Sequence, residues 1–179
     1  MLFINYFVIW YKKINMKRVV IVRHAKAVPH GYEDDFNREL RESGKIDADL
    51  ISRELKRHNI IPDTIISSTA KRALTTAEIF AENLGYMKSN IRKVDDIYEG
   101  LTDREFLEII HTLPKESKTA FFFGHNPDFH QFVQFLLTRF NQEMPTCATV
   151  GIDFDVQQWE KVMPRTGLLA FRYVPKMFS

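Results

Sequence analysis

Short, unbroken runs of apolar residues indicate strands that are buried on both faces of a sheet. Residues 19–22 and 119–123 form two such runs, and residues 64–67 form a third. Strands covered by helices on both faces have continuous apolar sequences, whereas half-exposed strands alternate apolar and polar residues. The three runs therefore predict interior strands of a mostly parallel sheet.

Segments with helical periodicity lie between and after these runs. Apolar residues four apart predict a helix over residues 44–57, and one apolar face predicts a second over 73–84, with Gly85 as its C-terminal cap. A capping-box pattern of Thr and Glu begins a third helix over 102–113. A fourth is predicted over 129–140. The chain thus alternates strands with helices.

The period changes near the C-terminus. Apolar and polar residues alternate over 150–156 and again over 169–173, which predicts an antiparallel pair of strands. Together with the alternation of strands and helices, this predicts an α/β fold, a three-layer α/β/α sandwich with a mostly parallel sheet. No repeat or linker interrupts the sequence after Met16, so we expect a single domain over residues 16–179. Such folds bind ligands at the carboxyl ends of their strands.

The first fifteen residues have a different character. Residues 1–11 are strongly apolar, but the run is about half as long as a transmembrane helix requires. It also lacks the basic start and the small-residue cleavage site of a secretory signal. Our preferred interpretation is that residues 1–15 are an apolar extension outside the domain. The alternative is a short membrane-surface anchor with Trp10 and Tyr11 at the interface.

Composition excludes several classes of protein and function. Of the 179 residues, 45% are hydrophobic, and 25 Lys plus Arg nearly balance 23 Asp plus Glu. This composition is that of an ordinary globular domain and excludes disordered, collagen-like and disulfide-rich chains. The near balance of charge argues against nucleic acid as a partner and makes membrane binding an unexpected property. The single Cys147 favours a reducing, cytoplasmic location.

Basic residues and histidines follow the predicted interior strands. Arg23 and His24 come directly after the first strand, and Arg72 lies one turn into the helix after the second. His125 and Asn126 follow the strand over 119–123. Because parallel strands end at the same edge of a sheet, these side chains are expected to surround an anion there. Phosphate is the common anion that needs several directional donors.

Two histidines in a phosphate site suggest a chemical mechanism. A neutral imidazole can attack phosphorus, so that one difficult transfer becomes two through a phosphohistidine intermediate. Arginines and a second histidine can offset the charge of the transition state. The sequence lacks G-x-S-x-G, H-E-x-x-H and G-x-x-x-x-G-K-[ST] patterns, which argues against serine hydrolases, zinc enzymes and P-loop enzymes. We therefore expect no metal and no cofactor.

Four motifs resemble those of one family. Val-Arg-His-Ala at residues 22–25 is similar to the Arg-His-Gly signature of the histidine phosphatase superfamily, which has the phosphoglycerate-mutase-like fold, and Arg-His-Ala-Lys resembles its SixA-type phosphohistidine phosphatase branch. Residues 37–44 resemble its Arg-x-Leu-x-x-x-Gly segment, and residues 67–77 its Ser-x-x-x-Arg-Ala-x-x-Thr-Ala helix. Gly-His-Asn-Pro at 124–127 resembles its second histidine motif. The resemblance covers residues 16–174.

The resemblance implies roles for the residues at the strand ends. By position, His24 is the nucleophile, and Arg23, Arg72 and His125 hold the phosphoryl group. Arg38 completes the anion pocket.

The resemblance also implies two further site residues. Asn126, in the same motif as the second histidine, is a substrate-binding residue. Glu99 stands where family members commonly place an acidic proton donor, with Asp96 and Asp103 as the other candidates. A solvated carboxylate before the positive end of a helix is the alternative interpretation of Glu99.

These observations lead to one expected activity and two alternatives. We expect a metal-independent phosphatase that acts through phospho-His24, with phosphohistidine of a signalling protein as its substrate. No connection is long enough to form a substantial lid, although the loop over residues 25–38 can shape specificity. The first alternative is a small-molecule phosphomonoesterase or phosphomutase acting on a phosphorylated metabolite. The second is a non-catalytic, phosphate-binding regulatory module.

Overall fold

A six-stranded sheet forms the middle layer of the structure. The computed structural model describes residues 16–29, 31 and 34–178. Its strands are β1 (Lys17–Arg23), β2 (Thr64–Ser68), β3 (Arg92–Val94), β4 (Thr119–Gly124), β5 (Thr149–Phe154) and β6 (Leu168–Tyr173). Their order across the sheet is β3–β2–β4–β1–β5–β6. The pairs among β1 to β4 are parallel, and β5 pairs antiparallel with both β1 and β6. This confirms the mostly parallel sheet with a C-terminal antiparallel element.

Helices cover both faces of the sheet. They are α1 (Glu42–Arg57), α2 (Lys71–Leu84), α3 (Asp96–Glu99), α4 (Asp103–His111) and α5 (Asp128–Leu136). Buried residues of α1 and α2 form one apolar cluster with the sheet, and those of α4 and α5 form the other. The predicted three-layer sandwich is therefore confirmed.

Strand β1 shows why its sequence is continuously apolar. Val20 and Val22 belong to the apolar cluster on the α1–α2 face, whereas Val19 and Ile21 belong to the cluster on the opposite face. All four side chains are completely buried. Because successive side chains of a strand point to opposite faces, a strand covered on both sides needs an apolar residue at every position.

The third predicted helix begins as its sequence indicates. In α4, the Thr102 hydroxyl accepts a hydrogen bond from the backbone N–H of Glu105, and the Glu105 carboxylate accepts one from the backbone N–H of Thr102. This reciprocal pair is the capping box. It fixes the backbone where the chain enters α4 from the segment after β3.

Two details differ from the sequence-based expectation. The last helix was predicted to reach residue 140, but α5 ends at Leu136, because Leu137 turns into extended backbone and forms a bridge with Gly167. Phe140 is nevertheless buried, so its apolar character reflects the core and not the helix. Strand β3 and helix α3 were not predicted, since three and four residues carry too little pattern.

The predicted extension over residues 1–15 lies outside the described residues. Within the part of the chain that the structure describes, no helix is long and apolar enough to cross a membrane. The elements that follow β1, β2 and β4 are the ones that position the candidate site.

Candidate active site

The two histidines lie next to each other at the ends of paired strands. Strands β1 and β4 run parallel, with Arg23 opposite Gly124 in the register. His24 and His125 are the next residue of each chain segment, and their ring centroids are 5.2 Å apart. The sequence-based prediction that these strand ends converge is therefore met for the central pair.

His24 is held so that one ring nitrogen is fixed as a donor. Its side chain is 8% exposed, and Nδ1 lies 2.7 Å from the carbonyl oxygen of Ala25. A carbonyl oxygen can only accept, so Nδ1 carries the hydrogen and Nε2 keeps its lone pair. The backbone N–H of His24 donates to Gly124 and its carbonyl accepts from Cys147, both at 3.0 Å. The backbone of His24 is thus held by β4 on one side and by the segment before β5 on the other.

His125 is held in the opposite tautomer. Its Nε2 lies 2.9 Å from the hydroxyl oxygen of Ser68, which also accepts a hydrogen bond from the backbone N–H of Ala70 at 3.2 Å. The Ser68 hydroxyl hydrogen has no other acceptor among the described residues, so we assign it to Nε2 and place the ring hydrogen of His125 on Nδ1. Nδ1 is buried and has no hydrogen-bond partner among the described residues. His125 therefore presents an unused N–H group.

Both rings are neutral at physiological pH. Burial lowers the pKa of His24 to about 4, with the charges of Arg72 and Arg23 adding to the effect and the Ala25 hydrogen bond opposing it. Burial and then the charge of Arg72 lower the pKa of His125 to about 3. A buried imidazole beside guanidinium groups loses more from protonation than it gains. The lone pair of one ring and the N–H of the other are therefore both available.

Arg72 and Arg38 meet at one carboxylate. Arg72 is 5% exposed and donates through Nη1 to the backbone oxygen of Asp35 at 2.7 Å and through Nη2 to its Oδ2 at 3.0 Å. Arg38 donates through Nε to Oδ1 of the same residue at 2.8 Å and through Nη1 to the backbone oxygen of Val28 at 3.0 Å. Burial lowers the pKa of the Arg72 guanidinium, and the charge of Asp35 partly restores it.

Arg23 and Asn126 share a backbone partner. The carbonyl oxygen of Met144 accepts from Nη1 of Arg23 at 2.8 Å and from Nδ2 of Asn126 at 3.1 Å. This carbonyl ties the end of β1 to the turn after β4. Asn126 thereby lies beside the cluster, as the sequence predicted, with its Oδ1 buried and unpartnered within the described residues.

Three buried N–H groups of the site have no partner within the described residues: Nε of Arg23, Nε of Arg72 and Nδ1 of His125. Arg23 is the last residue of β1, Arg72 lies in the first turn of α2, and His125 follows β4. A buried donor without an acceptor costs free energy, about 1–3 kcal/mol for a neutral group and more for a charged one. An anion with several acceptor oxygens would satisfy all three. The arrangement is therefore suited to a phosphoryl group beside Nε2 of His24.

Glu99 is not part of this cluster. Its side chain is exposed at the end of α3 and lines a separate surface cavity together with Asp96, Arg92 and Glu105. Within the described residues, no hydrogen bond, ion pair or ring contact joins it to His24. The third acidic candidate, Asp103, has a pKa raised by burial and by nearby Asp128. The structure thus supplies no contact that supports these carboxylates as proton donors at the site.

Two residues of the cluster were missed by the sequence analysis. Asp35 binds two arginines, and Tyr98 donates its hydroxyl hydrogen to Oδ2 of Asp35 at 3.2 Å while its ring lies edge-on to His125 at 6.0 Å. One signal was present: Asp35 lies three residues before Arg38, a spacing that allows side-chain contact within one turn. Tyr98 lies next to Glu99, and no sequence pattern distinguishes it.

Among the residues that the structure describes, no group of three or more His, Cys, Asp or Glu side chains could hold a metal ion. Among the described residues of the cluster, three arginines outnumber one carboxylate, Asp35, and this positive charge favours an anion.

Comparison with known proteins gives a family and a fold. The family model of the histidine phosphatase superfamily (branch 1) matches residues 19–135, a span that contains every predicted site residue. An uncharacterized chloroplastic protein of Arabidopsis thaliana is 24% identical over 163 residues, which cover 84% of this chain and 72% of that protein.

Solved structures share the whole architecture. The SixA structure from Agrobacterium tumefaciens superposes with a TM-score of 0.75 at 24% identity, covering 89% of this chain and 98% of that one. The protein histidine phosphatase SixA in complex with tungstate has a TM-score of 0.73 at 18% identity and covers 90% and 99% of the two chains. Mycobacterial glucosyl-3-phosphoglycerate phosphatase has a TM-score of 0.64 at 14% identity and covers 86% and 97%.

Proposed function

The chain belongs to the histidine phosphatase superfamily and is a phosphatase, and from that premise we propose that it hydrolyses phosphohistidine of a signalling protein through a phosphohistidine intermediate at His24. The observation that carries this proposal is the pairing of an imidazole lone pair with unpartnered donors. Nε2 of His24 carries no proton, and the buried N–H groups of Arg23, Arg72 and His125 have no acceptor among the described residues.

The first step is transfer of the phosphoryl group to His24. The lone pair of Nε2 forms a bond to phosphorus while the bond from phosphorus to the substrate imidazole nitrogen breaks, and that nitrogen keeps the electron pair and takes up a proton from solvent. Arg23 and Arg72, together with the Nδ1–H of His125, offset the charge on the equatorial oxygens. These donors are fixed before the substrate arrives, so little reorganisation opposes the transfer.

The second step returns the enzyme to its starting state. A water molecule attacks phosphorus, the bond to Nε2 breaks, and the nitrogen recovers its lone pair as inorganic phosphate leaves. The proton lost by the water passes to the phosphate oxygens or to solvent. Because the pKa of His24 is lowered to about 4, the released ring stays neutral and is ready for another turnover.

The acid–base chemistry of the site supports a nitrogen leaving group. Burial acts to raise the pKa of Asp35, but the charges of Arg72 and Arg38 outweigh it and hold that pKa below its usual range. Within the described residues, the carboxyl group of the cluster is therefore ionised and unable to donate a proton. A leaving imidazole is easily protonated near neutral pH, whereas an alkoxide requires a strong proton donor.

Structural relatives favour the same substrate and define the competing one. Of the similar structures, one is described as a protein histidine phosphatase, SixA, and another as a glucosyl-3-phosphoglycerate phosphatase. The fold therefore accommodates both protein and small-molecule substrates. A small-molecule phosphomonoesterase is the second candidate function, and the substrates that separate the two differ in leaving group.

A substrate panel tests the proposal. We would measure kcat/KM for a phosphohistidine-carrying protein and for sugar and alkyl phosphates, each with and without tungstate as a competing anion. We expect the phosphohistidine protein to be preferred by about 100-fold or more, since a difference of roughly 3 kcal/mol in leaving-group assistance has that effect.

Three other outcomes would contradict the assignment. A higher kcat/KM for a phosphorylated metabolite would establish a small-molecule phosphatase. Transfer of the phosphoryl group from the enzyme to a metabolite, and not to water, would establish a phosphomutase. Tungstate binding without turnover of any substrate would establish a phosphate-binding regulatory module.

The predicted cytoplasmic location remains part of the proposal. The single cysteine, Cys147, is free and completely buried, and burial raises the pKa of its thiol. A free thiol fits a reducing compartment.

A further inference from the structure

We propose that Asp35 is a positioning residue that holds Arg72 and Arg38 in place for phosphoryl transfer. The proposal rests on the proposed function and adds to it a residue that no sequence motif of the chain indicates. Two guanidinium groups repel each other, and without a counter-ion they would separate or turn towards solvent. Asp35 supplies that counter-ion between them.

The two oxygens of the carboxylate divide the arginines between them. Oδ1 accepts from Nε and Nη2 of Arg38, both at 2.8 Å, whereas Oδ2 accepts from Nη2 of Arg72 at 3.0 Å. The backbone oxygen of Asp35 accepts a further hydrogen bond from Nη1 of Arg72 at 2.7 Å. Arg72 is therefore held by two atoms of one residue, which restricts rotation of its guanidinium plane.

This grip leaves the donor that the substrate needs. A guanidinium group has five N–H hydrogens, and Asp35 uses one on each terminal nitrogen of Arg72. Nε of Arg72 is buried and has no partner among the described residues. Asp35 thus orients Arg72 without consuming all of its capacity to bind an anion. If Asp35 instead competed with the substrate for Arg72, we would expect it to occupy all the N–H groups of that guanidinium.

The charges of the cluster also match a phosphoryl dianion. Among the described residues of the cluster, Arg23, Arg38 and Arg72 contribute three positive charges and Asp35 contributes one negative charge, while both histidines are neutral. Two positive charges therefore remain in excess. The charge of Asp35 also raises the pKa of the Arg72 guanidinium against the effect of burial.

Tyr98 fixes Asp35 from the other side. Its hydroxyl donates to Oδ2 at 3.2 Å, and its ring lies 5.8 Å from Cζ of Arg72, within the range of a cation–π contact. Phe36, the neighbour of Asp35, packs edge-on against the same ring at 5.1 Å. The short 3₁₀ turn Asp35–Asn37 is therefore anchored to the α3 region, and the carboxylate has a defined position.

The test is Asp35→Asn, which keeps the shape and removes the charge. An amide has one acceptor oxygen, and its nitrogen cannot accept. One of the two guanidinium groups therefore loses its hydrogen bond to the side chain of residue 35 and keeps only its backbone partner. We expect kcat to fall about 10- to 100-fold with a smaller change in KM, because the lost alignment matters most in the transition state. The affinity for orthovanadate, a transition-state mimic, should fall more than the affinity for inorganic phosphate.

The matched control is Glu39→Gln. Glu39 is an exposed carboxylate of the same segment, and its ion pair is with Lys71, which lies next to Arg72 in the chain. Exposed ion pairs contribute little to stability, so this variant should keep kcat within a few-fold of the wild type. Asp35→Glu retains the charge and should keep a higher kcat than Asp35→Asn. It also provides a second test of the carboxylate if Asp35→Asn folds poorly.

Several results would overturn the proposal. Tighter binding of orthovanadate or phosphate by Asp35→Asn would show that Asp35 competes with the substrate, and unchanged kcat would show that it has no role. If the wild-type protein hydrolyses no phosphorylated substrate, the proposed function fails, but calorimetry with orthovanadate still tests Asp35. In that case equal affinities of the wild type and Asp35→Asn would overturn the positioning role.

Discussion

His24 and His125 occupy equivalent places in the fold yet offer opposite chemistry. Each follows the end of a parallel interior strand, and each is largely buried among the same arginines. His24 donates through Nδ1 to a backbone carbonyl, whereas His125 is hydrogen-bonded through Nε2 to the hydroxyl of Ser68. Nε2 of His24 is therefore left with a lone pair, and Nδ1 of His125 is left with an N–H group.

This difference teaches that the partner of the second ring nitrogen decides the role of each histidine. Burial lowers the pKa of both rings, to about 4 for His24 and about 3 for His125, so charge does not distinguish them. The carbonyl of Ala25 can only accept, and the hydroxyl of Ser68 can donate. The proposed nucleophile and the proposed electrostatic stabiliser therefore differ in their hydrogen bonds, which no residue-type pattern records.

The largest expected effect comes from the same substitution made at each histidine. An Asn side chain places an amide nitrogen near the position of Nδ1 but has no atom at the position of Nε2. We expect His24→Asn to lower kcat/KM by about four orders of magnitude or more, since the nucleophile is lost. His125→Asn keeps a donor and should lose only about tenfold. Equal losses in steady-state assays of the two variants would break the comparison.

A second test exchanges the position of the donor at His125. Gln places its amide nitrogen near the position of Nε2, so His125→Gln lacks the Nδ1–H donor. We expect kcat/KM to fall about 100-fold, roughly the cost of one preorganised donor. Steady-state kinetics of His125→Gln beside His125→Asn measure the contrast. If the Gln variant is the more active one, the assigned tautomer is wrong.

The smallest effect is expected at the residue that fixes the tautomer. In Ser68→Ala the ring of His125 can carry its hydrogen on either nitrogen, so the Nδ1–H donor is present only part of the time. We expect kcat/KM to fall about tenfold, as for other outer residues that orient a functional histidine. The control is Ser67→Ala, whose hydroxyl donates to a backbone carbonyl and not to a ring. Equal rates for both variants would remove Ser68 from the account.

The fold was largely predictable because its signals are local. Continuous apolar runs marked β1, β2 and β4, and helical periodicity marked the longer helices, each over enough residues to give a clear pattern. Strand β3 and helix α3 escaped because an exposed edge strand and a single helical turn need little apolar sequence. The end of α5 was misplaced because Phe140 is buried by the core and not by a helix.

The site was predictable where a residue follows a strand directly. His24 and His125 were identified in that way, because topology alone brings the ends of parallel strands together. Asp35 could not be identified, since its role depends on how a polar loop folds back onto α2. The role of Glu99 stays a prediction: within one turn of helix, the neighbouring Tyr98 contacts the cluster, whereas the side chain of Glu99 is exposed.

The most direct test of the central claim is the chemical identity of the phosphorylated enzyme. After brief reaction with a phosphohistidine protein and an alkaline quench, mass spectrometry would locate the phosphate, and proton–phosphorus NMR would identify the nitrogen that carries it. The hydrogen bond from Nδ1 to Ala25 predicts phosphate on Nε2 of His24. Phosphate on Nδ1 of His24, phosphate on His125, or turnover without any phosphoenzyme would contradict the account.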